Sequence, residues 1–214
     1  RTAKRFGRGE WRAATVGVDV GKLMTRPSRV TIAVLVVTIA LSCRLHAETL
    51  PGSLPPTQAT ISSCAVPGCD ATAFIVAAID GAQREIRGQA YNFTSAPIVD
   101  ALVRAKARGI DVSFLLDKIS PCQKGAGADS LVAGNIPVAI DKLPRIAHNK
   151  VLIIDGDRVI EGSFNFSAAA MHNAEDTNEI VSSNVAAYYR AYWDRRQKVS
   201  KPYQERSMWC KKKV

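Results

Sequence analysis

The sequence predicts an α/β fold: a mixed β-sheet flanked by helices, in a single domain. Three observations predict it. Helical and strand patterns alternate between residues 71 and 140, as they do where a sheet is covered by helices. From Lys150 an apolar run, a turn signal and a second apolar run read as a β-hairpin. The 214 residues, 47% hydrophobic and 22% charged, can bury a core, and exclude a disordered, collagen-like or multi-span membrane chain.

Residues 48–63 read as an extended linker or edge segment, because Pro55-Pro56 and the lack of a helical period exclude a helix. Asp70 caps a helix over Ala71–Ala82, with Phe74, Ile75, Ala78 and Ile79 on one face. Glu85–Phe93 is a strand. Ser95 caps a helix that runs to Ala107, with Ile98, Leu102 and Val103 on one face and Gly109 just past its end. Ile110–Leu116 is apolar enough to be a strand buried on both faces. Pro121, Gly125 and Gly127 mark residues 117–127 as a loop. A short helix at Ala128–Ala133 leads to a strand at Ile136–Ile140. A further short helix begins near Ser167, its N-terminal amides aimed toward the site derived below. An amphipathic helix near Val185–Lys198 docks on the sheet through Tyr188, Tyr192 and Trp193. No internal repeat is visible.

The N-terminal 47 residues read as a leader. Val30–Ser42 is uncharged but too short to span a bilayer, which takes about 20 residues. Arg26 and Arg29 precede it, and Leu45-His46-Ala47 ends in a small residue, the anatomy of a secretory signal peptide. The chain divides into 1–23, upstream sequence translated ahead of a start at Met24; 24–47, the signal peptide; 48–63, the linker; 64–203, the folded domain; and 204–214, a basic tail. The competing readings are an uncleaved anchor and lipid attachment at Cys43. Cleavage after Ala47 gives a periplasmic or secreted protein with no stable membrane association.

Charge does not name a partner. The net charge is +10, but residues 1–47 carry nine Lys/Arg against two Asp/Glu. The remainder is near neutral apart from Lys211, Lys212 and Lys213. Without the leader the cysteines number four: Cys64, Cys69, Cys122 and Cys210. An even count in an oxidising compartment allows two disulfides. Pro67-Gly68 turns the chain between Cys64 and Cys69, which favours that pair and would leave Cys122 with Cys210, the connectivity otherwise staying open. No second close Cys or His pair offers a zinc site, and no metal or cofactor is expected.

The chemistry lies in the hairpin. Lys150–Ile154 is one strand, Asp155-Gly156-Asp157 the turn and Val159–Phe164 the return. A two-residue loop, at Gly156-Asp157 or at Asp155-Gly156, puts His148 and Lys150 on the same face as Ser163 and Asn165. That patch suits a phosphate ester. Lys150 supplies charge, Ser163 and Asn165 are neutral donors to the non-bridging oxygens, and His148 attacks phosphorus or moves a proton. Tyr91 and Phe93 lie on a neighbouring strand, where one stacks on a base or both pack in the core.

The run H-x-K-x4-D-x6-G-S-x-N, filled by His148, Lys150, Asp155, Gly162, Ser163 and Asn165, resembles the HKD signature of the phospholipase D superfamily at every fixed position. Gln89–Ile98, Ala105–Gly109, Asn173-Ala-Glu175 and the Cys64–Cys69 pair resemble the small secreted bacterial endonucleases with a single such motif. The resemblance implies an α/β/α sandwich and a metal-independent phosphodiesterase. One motif histidine attacks to form a phosphohistidine, and a second protonates the leaving group and later activates water. By position, His148 is nucleophile or acid, Lys150 and Asn165 hold phosphate, and Ser163 is a hydrogen-bonding neighbour. Asp155 is a fixed motif position that falls at the turn and reads as structural. Glu175 matches the acid that orients the histidine, with Asp176 as its rival. His172 has no counterpart and reads as a surface residue.

The function expected is a non-specific endonuclease cleaving DNA, with RNA as a second candidate substrate. The alternative is a phospholipase D or cardiolipin hydrolase acting on phospholipid head groups. A binding protein that keeps the pocket without the chemistry is the third reading, and the complete motif argues against it. One motif per chain and a mechanism with two histidines imply a homodimer with a shared site.

Overall fold

The computed structural model describes residues 52–210; the leader, the start of the linker and the terminal lysines lie outside the described residues. Thr60–Val66 (β1) precedes Ala71–Asp80 (α1) and Glu85–Ala90 (β2). Ala96–Ala107 (α2), Asp111–Asp117 (β3), Ala128–Ala133 (α3) and Val138–Asp141 (β4) follow. Lys150–Ile154 (β5), Arg158–Gly162 (β6), Glu175–Val181 (β7), Ser183–Val199 (α4) and Lys201–Pro202 (β8) complete the order. The eight strands make one mixed sheet in the order β1-β7-β6-β5-β2-β3-β4-β8. β2, β3 and β4 are parallel, joined by helical crossovers, and the other pairs are antiparallel.

Strand alternation divides the core in two. Phe114, Leu116, Leu152 and Ile154 face Ile75 and Ile79 of α1, Ile98 and Leu102 of α2 and Leu131 of α3. Leu115, Val151, Ile153 and Val159 face Val185, Ala186 and Trp193 of α4. The result is helices over both faces of one sheet, as expected. Asp70 caps α1 by accepting from the Ala73 N–H at 2.9 Å. Ser95 stands at the N-cap of α2 without a side-chain cap bond. Trp193 Nε1 donates to the Gly88 carbonyl at 3.0 Å, which seats α4 on the sheet, while Tyr188 and Tyr192 stay half-buried. Among the described residues no helix is long and apolar enough to cross a membrane.

Two disulfides join Cys64 to Cys69 and Cys122 to Cys210. The first links the end of β1 to the turn before α1. The second ties the loop after β3 to the C-terminal segment.

Three expectations change. The segment read as linker or edge is a strand from Thr60 onward: β1 crosses the boundary drawn at residue 64 because β7 offers it a partner. β7 itself carried no strand signal. Glu175-Asp-Thr-Asn-Glu is polar, and within it only Thr177 is buried.

The hairpin loop is the third change. It has three residues, Asp155–Asp157, since Ile154 pairs with Arg158 and Val151 with Glu161. Lys150 therefore stands opposite Gly162, and alternation alone would send Ser163 to the other face. A bulge after β6 re-aims the chain. Ser163 N and Phe164 N both donate to the Asp176 carbonyl, at 3.0 and 3.2 Å, so two residues oppose one. At Gly162 a Cβ would lie 2.1 Å from that same oxygen. Gly162→Ala is expected to cost about 1–3 kcal/mol, as overpacking does, read by denaturant unfolding. Unchanged stability would mean that this bulge does not depend on close backbone approach.

Candidate active site

The site forms where β2 ends and β5 begins. Lys150, first residue of β5, pairs with Ala90, last residue of β2. The chain leaves β2 through Tyr91, while Phe93 turns into the core against Phe114 at 4.9 Å. Of the two aromatics offered as base-stacking candidates, Tyr91 alone reaches the site. Its ring centroid lies 4.6 Å from that of His148, and Lys150 Nζ stands 5.5 Å from it.

His148 is exposed and Lys150 is 4% exposed. Lys150 Nζ donates to the His148 carbonyl at 2.8 Å and sits 2.9 Å from Nδ1 and 3.1 Å from Nε2. An ammonium that close disfavours a second positive charge on the ring. Burial first and Lys150 second hold the imidazole below its ordinary pKa, while Asp117 pulls it up. Burial likewise lowers the Lys150 ammonium, against the charge of Glu175.

Ser163 is committed within the protein. Its Oγ donates to Glu175 Oε2 at 2.5 Å and accepts from Asp176 N at 2.9 Å. The expectation of a hydroxyl free for phosphate gives way to a hydrogen-bonding neighbour that aims Glu175. Asn173 Nδ2 also donates to Glu175 Oε1, at 2.9 Å. The Ser163 bond lowers the Glu175 pKa, burial opposes it, and Asn173 and Lys150 lower it further. Between the two rival acids, Glu175 faces the site. Asp176 contributes its backbone N–H and carbonyl to Ser163.

Asn165 lies two residues past the bulge, and its Oδ1 is buried with no hydrogen-bond partner among the described residues. The following Phe166 carbonyl accepts from Thr94 N and Ser95 N, both at 2.9 Å, which pins this segment across the end of β2.

Asp155, counted among the site candidates, stands at the other end of β5. Its carboxylate accepts from the backbone N–H groups of Gln83, Arg84 and Glu85 at 2.9, 2.7 and 3.1 Å. Burial would raise its pKa, but these three donors and Arg158 outweigh it and hold the carboxyl low. It anchors the turn to the loop before β2 and touches none of the reacting groups. His172 is exposed on the short 3-10 turn Ala168–His172, which replaces the helix expected after Ser167.

Sequence reasoning noted Asn173 only as part of a resembling stretch, without a role, and missed Asp117. Asp117, closing the apolar run Phe114-Leu-Leu-Asp, carried the one available signal: an acid at the end of a buried strand.

The family described as cardiolipin synthase, PLD-like domain, matches residues 75–196. The phospholipase D of Rickettsia conorii is 44% identical over 137 residues, 64% of this chain and 68% of that protein. The mitochondrial cardiolipin hydrolase of Drosophila melanogaster is 32% identical over 103 residues, 47% of this chain and 41% of that protein. Nuc from Salmonella typhimurium, a phospholipase D family member, superposes with a TM-score of 0.66 at 31% identity, covering 69% of this chain and all of Nuc.

Proposed function

The chain belongs to the phospholipase D superfamily of phosphodiesterases, and from that membership we propose that it is an endonuclease cleaving DNA, and RNA with it, with little sequence preference. One observation carries the choice of a polyanion. The loops that follow β3 and β4, the second of which leads into the exposed His148, carry the exposed cations Lys118, Lys142 and Arg145. The acids that end β3 and β4 are engaged within the protein: Asp117 is buried on backbone donors and Asp141 is clamped by Arg196 at 2.6 and 2.7 Å. A rim that shows cations and hides its carboxylates suits a phosphate backbone.

In this reading a neutral histidine attacks phosphorus, and the bond to the leaving oxygen breaks as an imidazolium donates it a proton. Water then cleaves the phosphohistidine, its proton returning to the second imidazole. Lys150 and the Asn165 amide meet the non-bridging oxygens. The second imidazole is His148 of another copy, in a homodimer with one shared site. Export through the leader completes the proposal, and the two disulfides fit an oxidising compartment.

Plasmid nicking is expected to persist in EDTA, because Lys150 and Asn165 provide the electrostatic stabilisation that a metal would otherwise supply. Cleavage that stops on chelation and returns with magnesium refutes this.

A phospholipase reading is favoured by a different observation. Ile119, Leu143 and Ile146 are exposed on the same two loops, which Lys118 Nζ joins through the Pro144 carbonyl at 3.3 Å. An apolar lip among cations fits an anionic lipid surface. Phosphatidylcholine and cardiolipin vesicles assayed beside plasmid DNA decide between the substrates.

A further inference from the structure

We propose that Asp117 is a positioning residue for His148, clamping from the end of β3 the peptide that presents the imidazole. Asp117 is 1% exposed. A carboxylate buried that far is costly unless hydrogen bonds compensate it. Two backbone donors do so. The Ile119 N–H reaches Oδ1 at 2.9 Å and closes the turn out of β3. The Ala147 N–H reaches Oδ2 at 2.6 Å, from 30 residues further along the chain. Ala147 is the residue before His148, whose own carbonyl is held by Lys150 Nζ at 2.8 Å. The backbone is thus fixed on both sides of the reactive side chain, and the ring contacts both Tyr91 and the Lys150 ammonium.

The surrounding charges support the assignment. Around His148 stand Lys150 from β5, Tyr91 from the end of β2, Asp117 from β3 and, through Lys150, Glu175 from β7. Lys118 is turned to the Pro144 carbonyl. Asp141, beside Asp117 across β3 and β4, is neutralised by Arg196. Burial and Lys150 push the imidazole toward its neutral form, and Asp117 is the acid that opposes them. Glu175 is engaged instead by Ser163 and Asn173. Asp117 therefore fixes the peptide before His148, and its charge opposes the effect of burial and Lys150 on the ring. The effect on turnover rests on the phosphodiesterase reading; the positioning does not.

The test follows the histidine resonances of the full chain by NMR, without substrate, in the wild type, Asp117→Asn and Glu175→Gln, with His148 assigned by its loss in His148→Ala. The His148 titration is expected to move to lower pH in Asp117→Asn and to move less in Glu175→Gln. An unchanged His148 titration in a folded Asp117→Asn protein overturns the proposal. If that variant does not fold, the wild type decides: the Ala147 amide proton is expected to be protected from exchange, and free exchange there overturns the proposal. With substrate, Asp117→Asn is expected to lower kcat about 100-fold with little change in KM, as a misplaced reactive group does. Failure to cleave DNA would sink the nuclease reading and leave the NMR result standing.

Discussion

Replacing His148 with alanine is expected to lower phosphodiesterase activity by about 10,000-fold or more, the scale on which losing a nucleophile or its base acts. The fold is expected to survive. His148 is exposed, lies before β5 and belongs to neither half of the core. The variant should unfold within about 0.5 kcal/mol of the wild type, as surface substitutions do. Lys150 then loses its neighbour but keeps its position beside Tyr91 and its electrostatic tie to Glu175. Phosphate should still bind the variant. Near-wild-type cleavage in His148→Ala would mean that another group attacks phosphorus.

The second large effect concerns mixed dimers. Purified heterodimers of one wild-type and one His148→Ala subunit are expected to be nearly inactive, although each contains an intact wild-type chain. The proposed reaction needs a neutral imidazole to attack and a protonated one to donate, and each chain supplies one motif histidine. In the proposed dimer, a two-fold axis through the site would bring His148 and its mate to opposite sides of one phosphate. If subunits reassort at random from an equal mixture, about a quarter of the dimers are fully wild type, and activity should fall to about that fraction. Activity near one half would mean that each subunit works alone. Sedimentation should show about twice the monomer mass at micromolar protein. A fully active monomer would end both the dimer and the two-histidine scheme.

The withdrawn acids bear on both results. Asp117 and Asp141 lie side by side across β3 and β4, and both are engaged within the protein. One is bound to backbone amides and the other to Arg196.

Much of this protein was legible in the chain alone. Alternating helix and strand patterns fixed an α/β sheet with helices, because burial periods of 3.6 and 2 are local properties of sequence. The spacing of His148, Lys150, Ser163 and Asn165 resembled the motif of the superfamily to which the chain belongs, and four cysteines with a turn between the first two favoured the pairing that the structure has. Position along the chain also marked Asp155 as a turn residue. What the chain could not reveal was decided by pairing across the sheet. The three-residue hairpin loop reversed the facing expected between Lys150 and Ser163, and the bulge against Asp176 re-aimed the chain after it. β7 is a strand because β1 and β6 flank it, and its own polar residues carry no such signal. The meeting of Asp117 with Ala147, 30 residues apart, exists only once β3 and the start of β5 end at the same edge of the sheet. Local sequence sets the period and the residue types. Register, bulges and long-range hydrogen bonds depend on which partner each strand finds, and that is settled only when the whole sheet assembles.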